Sequence, residues 1–450
     1  MNMNKEKLKS NLLIFLFLSS VVLTFVKFNF IENFNLYEKN PYSYSLSLEA
    51  GLQSTLRPIQ VVVRFGGNNN TKILSGRQRY YQQSKNLLKL SLSKAQGLVE
   101  VDAMAYEKAK QTKSLELSFT SLNGKLLSRS FFLEKSLIES LNDITQILIP
   151  LVDENAIYIV DSGKTYKLLT SNENSLAMVN ELEKSSYIKY YSIKYLFGSS
   201  SEVLVPGNEF NILYKAYDTV SSMTPEKSDE IAKDIFNERY DFINRIVETD
   251  GSNIYTYNYG QQLLKIQTNG YIEYLNENLP SKDTDVSDAV LGAMNFLTKL
   301  DIDLKSVGYE EATPVKVKGK NGYKIVFTEV IDDLRLMPNA SKYKLSLIVV
   351  GDTVHSFTGI RRSILPYDLS RNQSILLPFK VLDTQFSVLS SKFNVKNGVE
   401  LFDKIDDIEL LYFMDNQYML IPSWQITIEG KEYVFNGYTG EILYYGLGQS

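Results

Sequence analysis

The sequence of 450 residues contains no cysteine and a single histidine, His355. Without a thiol there is no disulfide framework, no thiolate metal site, no iron–sulfur cluster and no cysteine nucleophile. One imidazole cannot form a histidine cluster, so any histidine-assisted chemistry falls to His355. A basic excess is also lacking: 48 Lys and Arg stand against 52 Asp and Glu, a net charge of −4. Nucleic-acid binders draw much of their affinity from a basic face, which disfavours that class. Tryptophan occurs once, as Trp424. What remains is globular composition, 44% hydrophobic and 22% charged, at a length suited to more than one domain.

Long apolar runs are lacking too, with one exception. Leu12 to Val26 carries no charge, and its polar members are Ser19, Ser20 and Thr24. Lys27 interrupts the run before Phe28, Phe30 and Ile31 extend it. Leu12 to Ile31 is long enough for about 30 Å of helix, the thickness of a bilayer core. Lys27 lies near one end, where its stem can carry the ammonium to the headgroups. A cleaved signal peptide competes with this reading. Cleavage wants small residues, however, and Leu23-Thr24-Phe25-Val26-Lys27-Phe28 is bulky, which favours a retained anchor. Lys5, Lys7 and Lys9 against Glu6 keep the N-terminus cytoplasmic. The expected layout is a cytoplasmic head (1–11), a transmembrane helix (12–31) and an extracytoplasmic bulk in the cell membrane's outer space. Ser20, Thr24 and Lys27 fall at i, i+4 and i+7 and share one helix face. Ser20-x-x-x-Thr24 allows close helix approach and a hydrogen bond of about 1 kcal/mol or less, making these three the candidate partner-binding residues.

Residues 32–56 are polar and read as a stalk. Beyond it the pattern alternates between helices and antiparallel strands. Ile59–Phe65 is a β-branched strand ending in a Gly66-Gly67-Asn68 turn, and Leu115, Leu117 and Phe119 alternate as a half-buried strand should. Leu137, Leu141, Ile144 and Leu148 step by 4, 3 and 4, a helix face. Ile157–Val160 and Tyr166–Leu169 form a strand pair. Thr224-Pro225-Glu226 starts a helix that Ile231, Ile235, Phe242 and Ile246 carry to about Glu248. Strands follow at Ile254–Tyr259, Leu263–Gln267 and Tyr271–Leu275. Val286, Val290, Ala293, Leu297 and Leu300 mark another helix face. It is followed by strands at Tyr323–Val330, Tyr343–Val350, Val354–Ile360 and from Leu410 to Tyr445. The fold class is α+β: several small extracytoplasmic domains of helices packed on antiparallel sheets, at 57–205, 206–282 and 283–450.

Catalytic signatures are weak. Ser162-Gly163-Lys164-Thr165 has the tail of a phosphate-binding loop, but Tyr158 stands where its first glycine belongs. Ser91-x-x-Lys94 and Ser186-x-x-Lys189 lack the companion motifs of penicillin-binding enzymes. The neighbouring carboxylates Glu310-Glu311, Asp332-Asp333 and Asp406-Asp407 point different ways along a strand or turn, so adjacency makes no acid–base pair. His355 reads as an ordinary strand residue and Trp424 as core. The reading is non-enzymatic, with no metal and no cofactor.

One combination of features does match a family. A Lys-rich head, Lys5-Glu6-Lys7-Leu8-Lys9-Ser10, runs into the span. Arg57-Pro58 leads the first exported strand. Pro422-Ser423-Trp424 and Phe435-Asn436-Gly437-Tyr438-Thr439-Gly440-Glu441 close the chain. Together with the length, this resembles the YycH (WalH) family of two-component-system regulatory proteins of Gram-positive bacteria. Relatives often carry Trp after the Leu-Thr of the span, where this chain has Phe25 and Phe28. The resemblance implies a single-pass protein without catalytic activity. It also implies association with the sensor histidine kinase YycG (WalK) and with a second single-pass protein, YycI, to adjust kinase output over cell-wall metabolism. The final hairpin is also similar to PepSY-type domains, which leaves a ligand-binding or protease-inhibiting module as the alternative. A membrane-anchored hydrolase using a carboxylate pair is a third class.

Overall fold

The computed structural model describes residues 41–73, 78–133, 136–152, 155–171, 176–185, 187–207, 212–214, 217–220, 223–281, 284–340, 343–366 and 373–446. The chain divides into two units, 1–50 and 51–450. Of the first unit, residues 41–50 are described, and they begin the helix Pro41–Thr55. The expected span, with Ser20, Thr24 and Lys27, lies outside the described residues. Among the described residues, no helix is long and apolar enough to cross a membrane.

The second unit is α+β, with helices packed on antiparallel sheets, as the patterning implies. At its start the last residues of the stretch read as stalk are core, with Leu52 and Thr55 fully buried. The first sheet runs in the order Gly97–Val101, Lys164–Leu169, Ala156–Asp161, Ile144–Pro150, Ser114–Leu122, Gln60–Gly66, Asn69–Lys72, Tyr190–Ser192 and Leu204–Pro206. Its pairings are antiparallel throughout. The strand pair around Asp161-Ser162-Gly163 forms as expected, with Asp161 opposite Lys164.

Residues 137–150 depart from the helix face read in them. Leu137–Ser140 is a single 3-10 turn, and Ile144–Pro150 is a central strand. Ile147, Leu148 and Ile149 are all fully buried there. A strand covered on both faces loses the alternation that identifies strands, and its apolar residues then fit a helical spacing by coincidence.

The second sheet starts at the edge strand Asn244–Val247. It continues through Asn253–Tyr257, Gln262–Ile266, Tyr271–Asn276, Thr353–Ile360 and Leu345–Val350 to Lys320–Ile331. Val307–Val317 is the hairpin partner of that last strand. Lys320–Ile331 turns at Asp332 and Asp333, both with positive φ, into Leu334–Met337. This short strand pairs in parallel with Ile405–Met414, Leu336 opposite Tyr412. From there Met419–Ile428, Lys431–Asn436 and Ile442–Tyr445 finish a meander. Tyr271 faces Ile360 across one ladder, so the segments read as 206–282 and 283–450 share a sheet.

Alternation is clean in the first half of this sheet. Tyr255, Leu264, Tyr274, Phe357, Leu347 and Ile325 stand opposite one another in sequence across six strands. All six are buried. The helix Val286–Lys299, capped by Asp285, covers this row with Val290, Ala293, Met294 and Leu297, each fully buried. Burying each of Val290, Met294 and Leu297 contributes about 1.5–3 kcal/mol. The second helix on this face, Pro225–Phe236, has the Thr224 cap and first-turn proline read from sequence. It ends twelve residues short of Glu248, because Asn237 adopts φ 52, ψ −127 and breaks the hydrogen-bond ladder. A 3-10 turn then leads to the edge strand, and Phe242 and Ile246 of the expected helix face are exposed.

The C-terminal half of the sheet is covered by Pro378–Thr384, Phe386–Phe393 and Gly398–Phe402. Trp424 sits in the centre of this core, 2% exposed, and its Nε1 donates to the Leu376 carbonyl at 2.8 Å. The strands read between Leu410 and Tyr445 recur in this meander.

Gly292 provides a test of the helix-on-sheet contact. A Cβ there would meet the Asp352 carbonyl oxygen at 2.5 Å, in the turn between Leu345–Val350 and Thr353–Ile360. In a free helix Gly→Ala gains about 1 kcal/mol. Gly292→Ala is expected instead to lower stability by about 1–3 kcal/mol, through overpacking against backbone. Urea unfolding of both forms checks this, and a raised midpoint would show that the helix stands off the turn.

Candidate functional site

The chemistry-bearing motifs scatter over the fold. Ser162 and Gly163 form a hairpin turn with positive φ, and Lys164 pairs with Glu100 at 3.1 Å. Ser91 is buried in the helix Gln78–Ser93, where its carbonyl accepts from Thr170. Ser186 lies outside the described residues. Glu310 pairs with Lys344 at 3.0 Å, Asp332 and Asp333 make a turn, and Asp406 accepts from the Gly430 N–H at 2.7 Å. His355 is on a strand, its Nδ1 2.8 Å from the Asn276 carbonyl oxygen. Among the described residues, no three His, Asp or Glu side chains converge as metal ligands.

Charge gathers instead in two places that sequence reading missed. On the first sheet, Arg64 and Glu116 lie diagonally across adjacent strands, Arg64 opposite Ser114 and Glu116 opposite Val62, and Arg64 Nε donates to Glu116 Oε2 at 3.1 Å. The Tyr106 hydroxyl donates to the other carboxylate oxygen at 2.7 Å, and Lys110 lies 3.8 Å from it. Burial pushes the Glu116 carboxyl up, but Arg64 and then Lys110 outweigh it, and the group is held below the usual carboxylate range. Burial and the Glu116 charge push the Tyr106 hydroxyl up, so it stays a donor. Arg64 and Lys110 of this cluster also line a 520 Å³ cleft, together with Asn70, Ser192 and Tyr195.

The larger cleft, of 840 Å³, lies at one end of the second sheet. Four segments supply most of its lining, with Gln262 and Thr353 added from two further strands. Ile235 to Arg239 comes from the end of one helix, Lys299 from the last turn of the other, Asn276 to Pro280 from a strand exit, and Lys318 and Lys320 from a hairpin tip. Lys320 Nζ donates to the carbonyls of Leu279 and Pro280, both at 2.8 Å, tying the tip to the strand exit. Lys318 forms an ion pair with Glu277 along the same rim. Arg239 donates to Gln262 Oε1 at 3.3 Å, and Gln262 donates to the Tyr274 hydroxyl at 2.8 Å. Four cations thus line the cleft against two carboxylates, Glu238 and Glu277. The single sequence signal was the alternation Lys316, Lys318, Lys320 at a glycine turn, which does not name the segments it meets. An apolar pocket of 320 Å³ near the C-terminal helices is rimmed by Phe197, Phe379, Phe386 and Phe402.

No family model and no curated protein matches the sequence. The fold does match. The crystal structure of YycH from Bacillus subtilis aligns at a TM-score of 0.56 with 14% identity, covering 87% of this chain and 96% of that one. The chain therefore has a YycH-like fold. The C-terminal domain of YpeB from Bacillus megaterium aligns at 0.31 with 13% identity over 51% of this chain and 99% of that domain, a level from which no relationship is drawn.

The Arg64–Glu116 pair sets a pH dependence. A carboxyl whose folded pKa is depressed stabilises the fold above its unfolded value, 4.5, and loses that contribution as pH falls through the folded one. Glu116→Gln is expected to cost about 3–5 kcal/mol at pH 7, by leaving Arg64 buried without its partner. The difference from wild type should shrink as pH falls below 4.5, where the unfolded chain takes up the proton first, and vanish once pH has passed the lower folded value. Urea midpoints across pH 3–7 check both parts; a difference constant with pH contradicts the assignment.

Proposed function

We propose that this chain is a membrane-anchored, non-catalytic regulator that binds a sensor histidine kinase of the YycG (WalK) type and modulates its output over cell-wall metabolism. A second single-pass protein of the YycI type acts with it. The observation that carries the reading is the YycH-like fold, which extends over nearly the whole of both chains. The sequence supports it independently, through the Lys-rich head, the apolar run Leu12–Ile31 and the close of the chain around Trp424.

The mechanism follows from what such a protein has to offer. It carries no chemistry to the kinase, so it acts by binding one kinase arrangement better than another. A preference of about 1.4 kcal/mol changes the ratio of two arrangements tenfold. A membrane helix presenting Ser20 and Thr24 supplies a close interhelical contact, with Lys27 at the headgroup level. The polar clefts of the second unit favour a second input, in which a soluble ligand acts on the same regulator.

The reading is tested by affinity capture from membranes with the full chain. Capture should recover a sensor kinase and a second single-pass protein. Recovery is expected to fall severalfold in Ser20→Leu/Thr24→Leu and on exchange of residues 12–31 for an unrelated span. Unchanged recovery from both variants would move the contact to the exported residues. Recovery of no kinase would refute the regulator reading.

A further inference from the structure

We propose that the 840 Å³ cleft at the end of the second sheet is a binding site for a hydrophilic oxyanion, a phosphate or carboxylate carried on a hydroxyl-rich molecule. The proposal rests on the cleft alone and does not require the kinase reading.

The charge balance selects the sign of the ligand. In a protein of net charge −4, this one cleft gathers Arg239, Lys299, Lys318 and Lys320 against two carboxylates, a surplus of two positive charges. How each cation is partnered narrows the choice further. Lys318 has a carboxylate, Glu277, while Lys320 has two backbone carbonyls and Arg239 has a neutral amide oxygen. Lys299, in the last turn of Val286–Lys299, lines the cleft and has no hydrogen bond or ion pair among the described residues. Its position at a helix C-terminus favours the charged ammonium. Burial nevertheless lowers its pKa, with Asp234 acting in the opposite sense. A desolvated cation facing an open polar space gains from an anion entering that space, because little further desolvation is needed to meet it.

The remaining lining suits a hydroxyl-rich body. Gln262, Tyr274 and Asn276 present amide and hydroxyl groups at the back of the cleft. Its 840 Å³ is within the range of small-molecule sites. The walls are also fixed. Lys320 pins the hairpin tip to the strand exit, and Asn237 holds φ 52, ψ −127, a conformation that L side chains seldom adopt. Non-glycine residues persist in such conformations where the surroundings over-determine them, and these places coincide with binding sites.

The test uses the purified full chain in a mild non-ionic detergent, titrated calorimetrically with inorganic phosphate, glycerol 3-phosphate and glucuronate, with glycerol as the uncharged control. Saturable binding is expected for at least one oxyanion and none for glycerol. Stronger binding of glycerol 3-phosphate or glucuronate than of phosphate would identify the hydroxyl-rich body as part of the ligand. Equal binding would confine recognition to the anion and overturn that half of the proposal. Lys299→Gln and Arg239→Gln should each weaken binding at least tenfold. Lys318→Gln lies on an exposed turn and cannot disturb the core; it should weaken binding severalfold with an unchanged melting temperature. Lys324→Gln, outside the cleft, should leave affinity unchanged. Absence of saturable binding to all three oxyanions, or equal loss in Lys324→Gln, overturns the site.

Discussion

Six side chains stand in one line across six strands of the second sheet: Tyr255, Leu264, Tyr274, Phe357, Leu347 and Ile325. A one-residue slip in any of these ladders would turn part of the row to the opposite face. The helix Val286–Lys299 can pack only where the row is intact, because its own stripe of Val290, Ala293, Met294 and Leu297 needs an apolar surface to cover. Register and helix position therefore fix each other. The strand Lys320–Ile331 then extends this order in two directions. It carries the Val307–Val317 hairpin on one side, and through the Asp332–Asp333 turn it passes the sheet to Leu334–Met337 and the C-terminal meander. The larger cleft is a by-product of the same arrangement. Lys299 reaches it because the helix ends there, and Lys320 because its strand starts there.

Where the sequence was legible, one face of an element was buried and the other was not. Val286, Val290, Ala293, Leu297 and Leu300 show a helical step, and all five are buried. The hairpin turns at Asn269-Gly270, Gly430-Lys431 and Asn436-Gly437 carry residues that tolerate positive φ or cap a turn, a signal visible in the sequence itself. Where it was not legible, the local pattern carried no information about the outcome. Ile144–Pro150 is apolar on both faces, so no period distinguishes strand from helix. The helix through Ile246 failed at one backbone conformation, that of Asn237, which neither propensity nor spacing foretells.

The sites were the least legible part, and the reason is geometric. Motif reading finds chemistry that is contiguous in the chain, such as a phosphate loop or a carboxylate pair. The clusters in this fold are contiguous only in space: Arg64 meets Glu116 across a ladder, and Arg239 meets Lys299 and Lys320 across three elements. The resemblance carried by the two ends of the chain pointed to the fold that the YycH structure shares, and that gain in fold came without any gain in site.

Under the proposed function the protein has to convert binding into a bias, and the fold limits how it does so. Binding that favours two states equally shifts neither. The second unit is built mainly on two large sheets held by ladders and buried rows, an arrangement that resists gradual deformation because close-packed interiors do not bend continuously. Under that proposal an input at its surface acts by changing which partner surface is presented, or how firmly, more than by reshaping the core. The segments that form the larger cleft suit that role, since they are strand exits, helix ends and a hairpin tip held together by side chains such as Lys320. Those connections are few and polar, whereas the row beneath them is apolar and extensive, so the rim can change its electrostatics while the sheet keeps its register.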